Sequence, residues 1–169
     1  MSLGLDVAGA RAPAGEDTFG GEYLRALRMI ERLHRLLLDV IKDEFDRKGG
    51  ADFNSVQALI LYNMGEGERT AGEFKSRGYY LGSNVSYNLK KLVELGYLHY
   101  KRSDKDRRSV RVSLTPKGQA IAEVVGGLYE RHVGSIEQVG GIGQDEFRQM
   151  NRALLRLDRF WNDTIAYRM

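Results

Sequence analysis

The spacing of apolar residues changes from helical to alternating within one short stretch, and this change limits the folds open to the chain. Over 83–95 the apolar residues recur at helical spacing on one face, and the opposite face is polar. Apolar and polar residues then alternate over 97–101 and again over 110–114. The pattern predicts a polar-faced helix followed by a two-stranded antiparallel ribbon, with a polar loop at 103–108 between the strands.

Further helices are predicted on both sides of this unit. A short helix is expected to begin at Thr70, because Thr70 and Glu73 have the spacing of a capping box. A helix near 51–64 has Asp52 and Asn54 as alternative N-caps. Thr115 is expected to cap another helix, with Pro116 in its first turn. Longer helical patterns cover 22–48, 115–139 and 144–167.

The chain is expected to form one domain preceded by an arm, of a mainly α (α+β) class. Its 169 residues, 42% hydrophobic and 29% charged, suffice for a core without covalent staples. Residues 1–21 combine Gly, Ala, Pro and mixed charge, which predicts a disordered arm. Within the domain at 22–167, the central lobe is placed at about 51–118. The flanking helices, about 22–48 and 115–167, carry apolar stripes too wide for one small lobe.

Several classes of function lack the residues that they need. The chain has no cysteine, which excludes disulfides and thiolate metal sites, and its three histidines have no ligand spacing. No apolar run approaches the roughly 20 residues that span a bilayer, and residues 1–21 do not resemble a secretory signal. The Gly-rich phosphate loops and nucleophile motifs of enzymes are also missing. We therefore expect a cytoplasmic protein that is not an enzyme and that carries no cofactor or metal.

Positive charge is concentrated in the middle of the chain. Residues 69–117 contain twelve basic and four acidic side chains, a net charge of +8, so the total of +3 leaves −5 for the remainder. A basic centre between acidic flanks is the distribution expected of a phosphate-binding module inside a larger fold. The distribution favours a nucleic-acid partner, with a surface that is merely solvated as the alternative. The helix and the ribbon tip make double-stranded DNA the expected nucleic acid.

The polar helix and the basic ribbon tip are the candidate DNA-binding elements. A helix fits the major groove, where amide and hydroxyl side chains can read base edges. The early turns of the 83–95 helix carry such groups: Ser83, Asn84, Ser86, Tyr87 and Asn88. Lys90 and Lys91 are placed for phosphates, which set register rather than sequence. At the ribbon tip, Lys105, Arg107 and Arg108 suit an electronegative minor groove, and Asp106 can hold the loop in shape by pairing with Arg108.

The sequence resembles the MarR-type winged helix-turn-helix transcriptional regulators over about 22–167. The ribbon segment 106–115, with Lys117 and Gly118, is similar to the wing signature of that family. Segment 86–98 is similar to its recognition helix and following strand, and 53–64, with Gln57, to its second helix. The resemblance implies a homodimer held by long N- and C-terminal helices, with two winged-helix lobes on a pseudo-palindromic operator. Half-sites would then lie about one DNA turn apart, roughly 34–36 Å.

The resemblance further implies a repressor that is released from DNA by a small aromatic or anionic effector. The candidate effector residues are aromatic or titratable: His34, Phe53, Tyr62, Tyr79 and Tyr80. The alternative role for the last two is to brace the recognition helix. Two other functions remain open, a winged-helix protein-interaction module without specific DNA binding and an RNA binder. The basic tip argues against the first, and the scarcity of exposed aromatic platforms argues against the second.

Overall fold

The computed structural model describes residues 18–76, 83–102 and 110–167, except for the side chains of residues 75, 76 and 83. Their elements, in chain order, are α1 Phe19–Arg47, α2 Ser55–Met64, β1 Arg69–Thr70, α3 Ala71–Ser76, α4 Ser83–Glu94, β2 Leu98–Arg102, β3 Val110–Leu114, α5 Pro116–Gly140 and α6 Gln144–Tyr167. The expected mainly helical fold with a small sheet is confirmed. The chain divides into two compact units, with the boundary between Ala51 and Asp52.

The first unit contains the long helix α1. Thr18 caps it by accepting a hydrogen bond from the Gly21 amide at 3.1 Å, so the helix begins at Phe19. The sequence expectation of an arm reaching residue 21 was therefore wrong at its end, and residues 1–17 of that arm lie outside the described residues. Ile41 and Phe45 are buried, whereas a second apolar row one third of a turn away is exposed. That row consists of Met29, Leu33, Leu36 and Val40.

The core of the second unit lies between α2, α3, α4 and the sheet. Its innermost side chains are apolar, and several are fully buried: Ile60, Leu61, Met64, Phe74, Val85 and Leu92. Burying such side chains contributes about 1.5–3 kcal/mol each relative to exposure. Helix α2 also packs against α5. The core therefore holds α4 by its apolar face.

The sheet has three strands in the order β1-β3-β2, one more than the sequence predicted. The strands β2 and β3 pair antiparallel, with Leu98 opposite Leu114 and Lys101 opposite Arg111. The additional strand β1 pairs Thr70 with Arg111 on the other side of β3. Two residues are too few to show an alternating pattern, so only the pairing with a distant segment reveals this strand.

Local capping fixes where the helices of the second unit begin. Asn54, not Asp52, caps α2, in a reciprocal box with Gln57 at 2.9 and 3.0 Å. The expected box of Thr70 and Glu73 is confirmed, with distances of 2.6 and 3.1 Å. Thr115 caps α5 by accepting a hydrogen bond from the Gly118 amide, and Pro116 occupies its first turn, as expected.

The first turn of α5 is joined to the residues that end α4. Gly96, with φ of 80°, ends α4 in a conformation that favours glycine. Thr115 donates its amide to the Tyr97 carbonyl at 3.1 Å and its hydroxyl to the Gly96 carbonyl at 2.7 Å. The Lys117 ammonium donates to the Leu95 carbonyl at 2.9 Å. We call these contacts the α4–α5 junction.

Tyr97 carries this junction onto the segment before α2. Its ring packs edge-on against Phe53, with the centroids 5.3 Å apart, and the Lys117 ammonium lies 4.0 Å from the Tyr97 ring centroid. The Tyr97 hydroxyl donates to the Asp52 carboxylate at 2.5 Å. Burial, followed by this hydrogen bond, raises the pKa of Tyr97 to about 12. Tyr97 therefore stays a neutral donor in the ordinary pH range.

Helix α6 keeps its apolar side uncovered. No residue of α6 is buried, although a single stripe of the helix is apolar. Met150, Leu154, Trp161 and Ile165 on that stripe are 36–71% exposed. Among the described helices, none combines the length and the apolar character that a membrane crossing requires.

Candidate nucleic-acid interface

Helix α4 presents a polar face over an apolar one, as its sequence predicts. Val85, Leu89 and Leu92 point into the core and are at most 6% exposed. Three of the expected DNA-binding residues, Asn84, Ser86 and Lys90, are exposed on the helix. Tyr87 is 66% exposed. These side chains offer amide, hydroxyl and ammonium groups on a rigid helix, which is what readout in a major groove requires.

Asn88 lies differently from the sequence expectation, which placed it among the base-reading residues. Its side chain is only 8% exposed and faces α2. Its carbonyl oxygen accepts from the Gln57 amide at 3.1 Å, and its own amide donates to the Asn84 carbonyl at 2.8 Å. Both ends of the Asn88 amide are therefore engaged inside the lobe. Asn84 and Tyr87 are instead α4 side chains that are exposed and able to contact a base.

Glu94 lies between the two lysines of α4. Its carboxylate oxygens are 4.0 Å from the Lys90 ammonium and 3.8 Å from the Lys91 ammonium. The side chains of Lys90 and Lys91 are 79% and 45% exposed, so each can still turn toward a phosphate. Exposed pairs of this kind contribute roughly 0–1 kcal/mol. Glu94 thus competes weakly with any phosphate for both cations.

Replacing Glu94 by glutamine is expected to strengthen binding to any duplex by about two- to fivefold, because both lysines lose their competing carboxylate. Fluorescence anisotropy with an unrelated duplex, repeated over a salt series, measures the change. Glu130→Gln on α5 removes the same charge outside this group and serves as the control. Equal affinities of the two variants would show that the ion pairs do not hold back the lysines.

The paired strands β2 and β3, which form the wing, carry basic residues that were not among the sequence-based candidates. Lys101 and Arg111 stand directly opposite each other on β2 and β3. Facing like charges destabilise a sheet, and Glu68, 4.0 Å from the Lys101 ammonium, offsets part of this repulsion. The alternation of the strands, combined with their register, is the signal that places both cations on one face. The expected tip residues Lys105, Asp106, Arg107 and Arg108 lie outside the described residues.

An apolar cavity of about 770 Å³ separates α4 from the base of the wing. Ser86, Leu89 and Lys90 border it on one side, and Tyr100 and Val110 on the other. It is open to solvent, and its size is in the range of small-molecule sites. The wing-facing side of the candidate recognition helix is therefore accessible to a small ligand.

Three of the five residues expected to bind an effector lie in the described part of the chain. His34 is exposed on α1. Phe53 packs on Tyr97, and Tyr62 packs edge-on against Tyr129 with the ring centroids 5.0 Å apart. Neither Phe53 nor Tyr62 borders the cavity beside α4. Tyr79 and Tyr80 lie outside the described residues. In the part of the chain that the structure describes, no three His, Asp or Glu side chains cluster as metal ligands.

Comparison with known proteins gives consistent results at three levels. A family model described as a winged helix DNA-binding domain matches residues 53–118. The exopolysaccharide II synthesis transcriptional activator ExpG of Rhizobium meliloti (strain 1021) is 32% identical over 148 residues, which cover 86% of this chain and 74% of ExpG.

Two solved structures share the fold of this chain. A mutant MarR from E. coli, complexed with operator DNA, matches with a TM-score of 0.65 and 20% identity, covering 83% of this chain and 99% of that one. BpsR of Bordetella bronchiseptica, whose DNA binding is regulated by 6-hydroxynicotinic acid, matches with a TM-score of 0.61 and 18% identity, covering 79% and 98%. Both likenesses concern the fold.

Proposed function

Since the chain belongs to the MarR-type winged-helix transcriptional regulators, we propose that it is a dimeric, sequence-specific DNA-binding protein whose helix α4 reads operator bases. The observation that carries this proposal is the exposed polar face of α4 above an apolar face buried in the lobe. Asn84 and Tyr87 supply donors and acceptors for bases, and Lys90 and Lys91 supply charge for phosphates.

The uncovered apolar rows support a dimer. Helix α1 exposes Leu33 and Leu36, and α6 exposes Leu154 and Trp161, each on one continuous side of its helix. Contiguous exposed apolar surface of this kind marks an interface. A second copy of the chain is the proposed partner, because two lobes related by two-fold symmetry fit an operator with two half-sites.

Selection from random duplex DNA tests the proposal. We expect enrichment of a pseudo-palindrome whose half-sites lie about one helical turn apart, roughly 34–36 Å. Affinity for the enriched duplex is then measured over a salt series against an unrelated duplex. Recovery of no common sequence, with weak and salt-sensitive binding only, would favour the alternative of a winged-helix protein-interaction module.

Replacing Asn84 by alanine is expected to relax preference at one base position of each half-site. Losing a good base contact costs about 1–3 kcal/mol, or about 5- to 150-fold in discrimination at that position. Competition with single-base variants of the operator measures it. Asn151→Ala on α6 makes the same change at an exposed position far along the chain. Unaltered preference in the Asn84 variant would remove this side chain from the base-reading set.

The direction of regulation is the finer part of the proposal. The resemblance implies repression, whereas the R. meliloti relative is named an activator, and we favour activation on that ground. A reporter gene behind a natural promoter that carries the selected site, with and without the protein, decides between them. Activation predicts a lower signal when the protein is deleted, and repression predicts a higher one.

We also propose control by a small aromatic anion. The support is the cavity beside α4 together with the regulation of the fold relative BpsR by 6-hydroxynicotinic acid. An aromatic ring suits the apolar walls, and Lys90, which lines the cavity together with its ion-pair partner Glu94, can offer its ammonium to a carboxylate. Thermal-shift and operator-release assays with 6-hydroxynicotinic acid and related aromatic acids test this. No binding by any of them would contradict it.

A further inference from the structure

A chain of buried and partly buried hydrogen bonds joins the start of α2 to Asn88 on α4 and continues within α4 to the backbone carbonyl of Asn84. The Gln57 carbonyl oxygen accepts from the Asn54 amide at 3.0 Å, and its side-chain amide donates to Asn88 at 3.1 Å. Asn88 in turn donates to the Asn84 carbonyl at 2.8 Å. Gln57 and Asn88 are the two buried polar side chains of the described residues, 5% and 8% exposed. We call this chain the Gln57–Asn88 relay.

The relay destabilises the fold if either buried amide lacks its hydrogen-bond partner. A buried amide that loses its partner destabilises the fold, whereas a well-packed apolar pair in place of both amides can be nearly neutral. No buried side-chain nitrogen or oxygen lacks a partner in the described part of the chain, so each polar atom of the relay has at least one. An apolar pair would fill the same space without fixing a direction, whereas hydrogen bonds fix both the position and the rotation of the helix.

Helix α4 is thus held at two places of different kinds. Its end is fixed by the α4–α5 junction through the carbonyls of Leu95, Gly96 and Tyr97. Near its middle it is held across the lobe by the Gln57–Asn88 bond, since the apolar contacts of Val85 and Leu89 have no directionality of their own. The bond from Asn88 to the backbone carbonyl of Asn84 lies within α4 and orients the Asn88 amide toward Gln57. Base contacts require placement within a few tenths of an ångström, as hydrogen-bond geometry demands.

We infer that Gln57 and Asn88 are positioning residues that set the rotation of the recognition helix and thereby the sequence specificity of DNA binding. They touch no base themselves. This inference rests on the proposed function of α4 in reading operator bases. Rotation of α4 would displace the Asn84 and Tyr87 side chains from base edges while leaving Lys90 and Lys91 able to reach phosphates. Specific binding should therefore fall, and nonspecific binding should persist.

The Gln57→Glu variant breaks the relay at one bond. A carboxylate still accepts from the Asn54 amide, so the capping box survives, but it cannot donate to Asn88. Asn88 must then release Asn84 to satisfy the new anion. Gln119→Glu, at an exposed position of α5, introduces the same charge and is the matched control. The measured quantity is the ratio of affinities for the selected operator and for an unrelated duplex at one salt concentration.

We expect Gln57→Glu to lower that ratio about tenfold, the size of one lost base contact, and Gln119→Glu to leave it unchanged. The double variant Gln57→Met with Asn88→Leu separates positioning from stability. Its melting temperature should fall only by the cost of the lost Asn54–Gln57 capping bond, because neither side-chain amide remains to be left unpaired, while its ratio stays low. If Gln57→Glu does not fold, the double variant still tests whether Gln57 and Asn88 position α4.

Two outcomes would overturn the inference alone. One is a wild-type ratio in Gln57→Glu, and the other is a ratio that recovers together with the melting temperature in the double variant. A wild-type protein that does not prefer any operator would instead overturn the proposed function, and the inference with it. The wild-type measurement thus distinguishes the two failures.

Discussion

Gly118→Ala is expected to destabilise the DNA-binding lobe by about 3 kcal/mol or more, at the upper end of the cost of overpacking. A Cβ at this position would collide with the Tyr97 carbonyl oxygen and would lie 3.1 Å from the Tyr97 carbonyl carbon and 3.2 Å from the Leu114 side chain. Backbone atoms cannot turn aside as a side chain can. The first turn of α5 would have to move away and break the α4–α5 junction.

Thermal unfolding at one fixed protein concentration measures this effect. For a chain of this length, 3 kcal/mol corresponds to a fall in Tm of about 6–12 °C. Gly134→Ala is the matched control, since it makes the same change in the same helix with no atom within 4 Å of the new methyl group. That variant should gain about 0.5–1 kcal/mol from helix propensity. Similar melting temperatures for the two variants would mean that the α4–α5 junction can shift to accommodate the new methyl group at little cost in stability.

Leu154→Glu is expected to convert the proposed dimer into monomers and to weaken operator binding by about 100-fold or more. Leu154 is 41% exposed at the centre of the apolar stripe of α6, where a carboxylate would be buried against the partner. A monomer loses the second lobe, and joint engagement of two half-sites raises affinity by about 10²–10⁴-fold. Light scattering after size-exclusion chromatography gives the mass, and anisotropy gives the affinity.

Gln149→Glu places the same charge at an exposed position about 140° around α6 from Leu154 and should remain dimeric. Circular dichroism of both variants checks that the helices are retained. A Leu154→Glu protein that keeps both the dimer mass and the operator affinity of the wild type would show that this stripe is not the interface. The exposed row of α1 would then be the next surface to test.

Features encoded within a few residues were predictable from the sequence. The α6 bounds of Gln144 and Tyr167 agree with the apolar period, and the box of Thr70 and Glu73 agrees with its spacing. Both depend on hydrogen bonds and side-chain contacts three or four residues apart, which a sequence displays directly. The order of helix, helix and ribbon could be predicted for the same reason.

Features decided by distant partners were not predictable. Asn88 is at the edge of the polar face of α4, and only its contact with Gln57, 31 residues away, makes it a buried residue instead of a base-reading one. The sequence did not distinguish Asp52 from Asn54 as the N-cap of α2. In the structure Asn54 caps the helix, and Asp52 accepts a hydrogen bond from the hydroxyl of Tyr97, 45 residues away in the sequence. Strand β1 exists only because β3 pairs with it. Tertiary contacts override local preference at these positions.

Helix α5 connects strand β3 to the turn that precedes α6. Because α5 is long, a small tilt at one end displaces the other end by a large distance. Twenty-five residues at 1.5 Å each make a rod of about 37 Å. A tilt of about 5° at the far end moves the end at Thr115 by about 3 Å, roughly the length of a hydrogen bond. Three hydrogen bonds fasten that end to Leu95, Gly96 and Tyr97, which directly follow α4, so the displacement is transmitted to the end of α4. A small change in the direction of α5 is thereby enlarged at α4, the helix proposed to read operator bases.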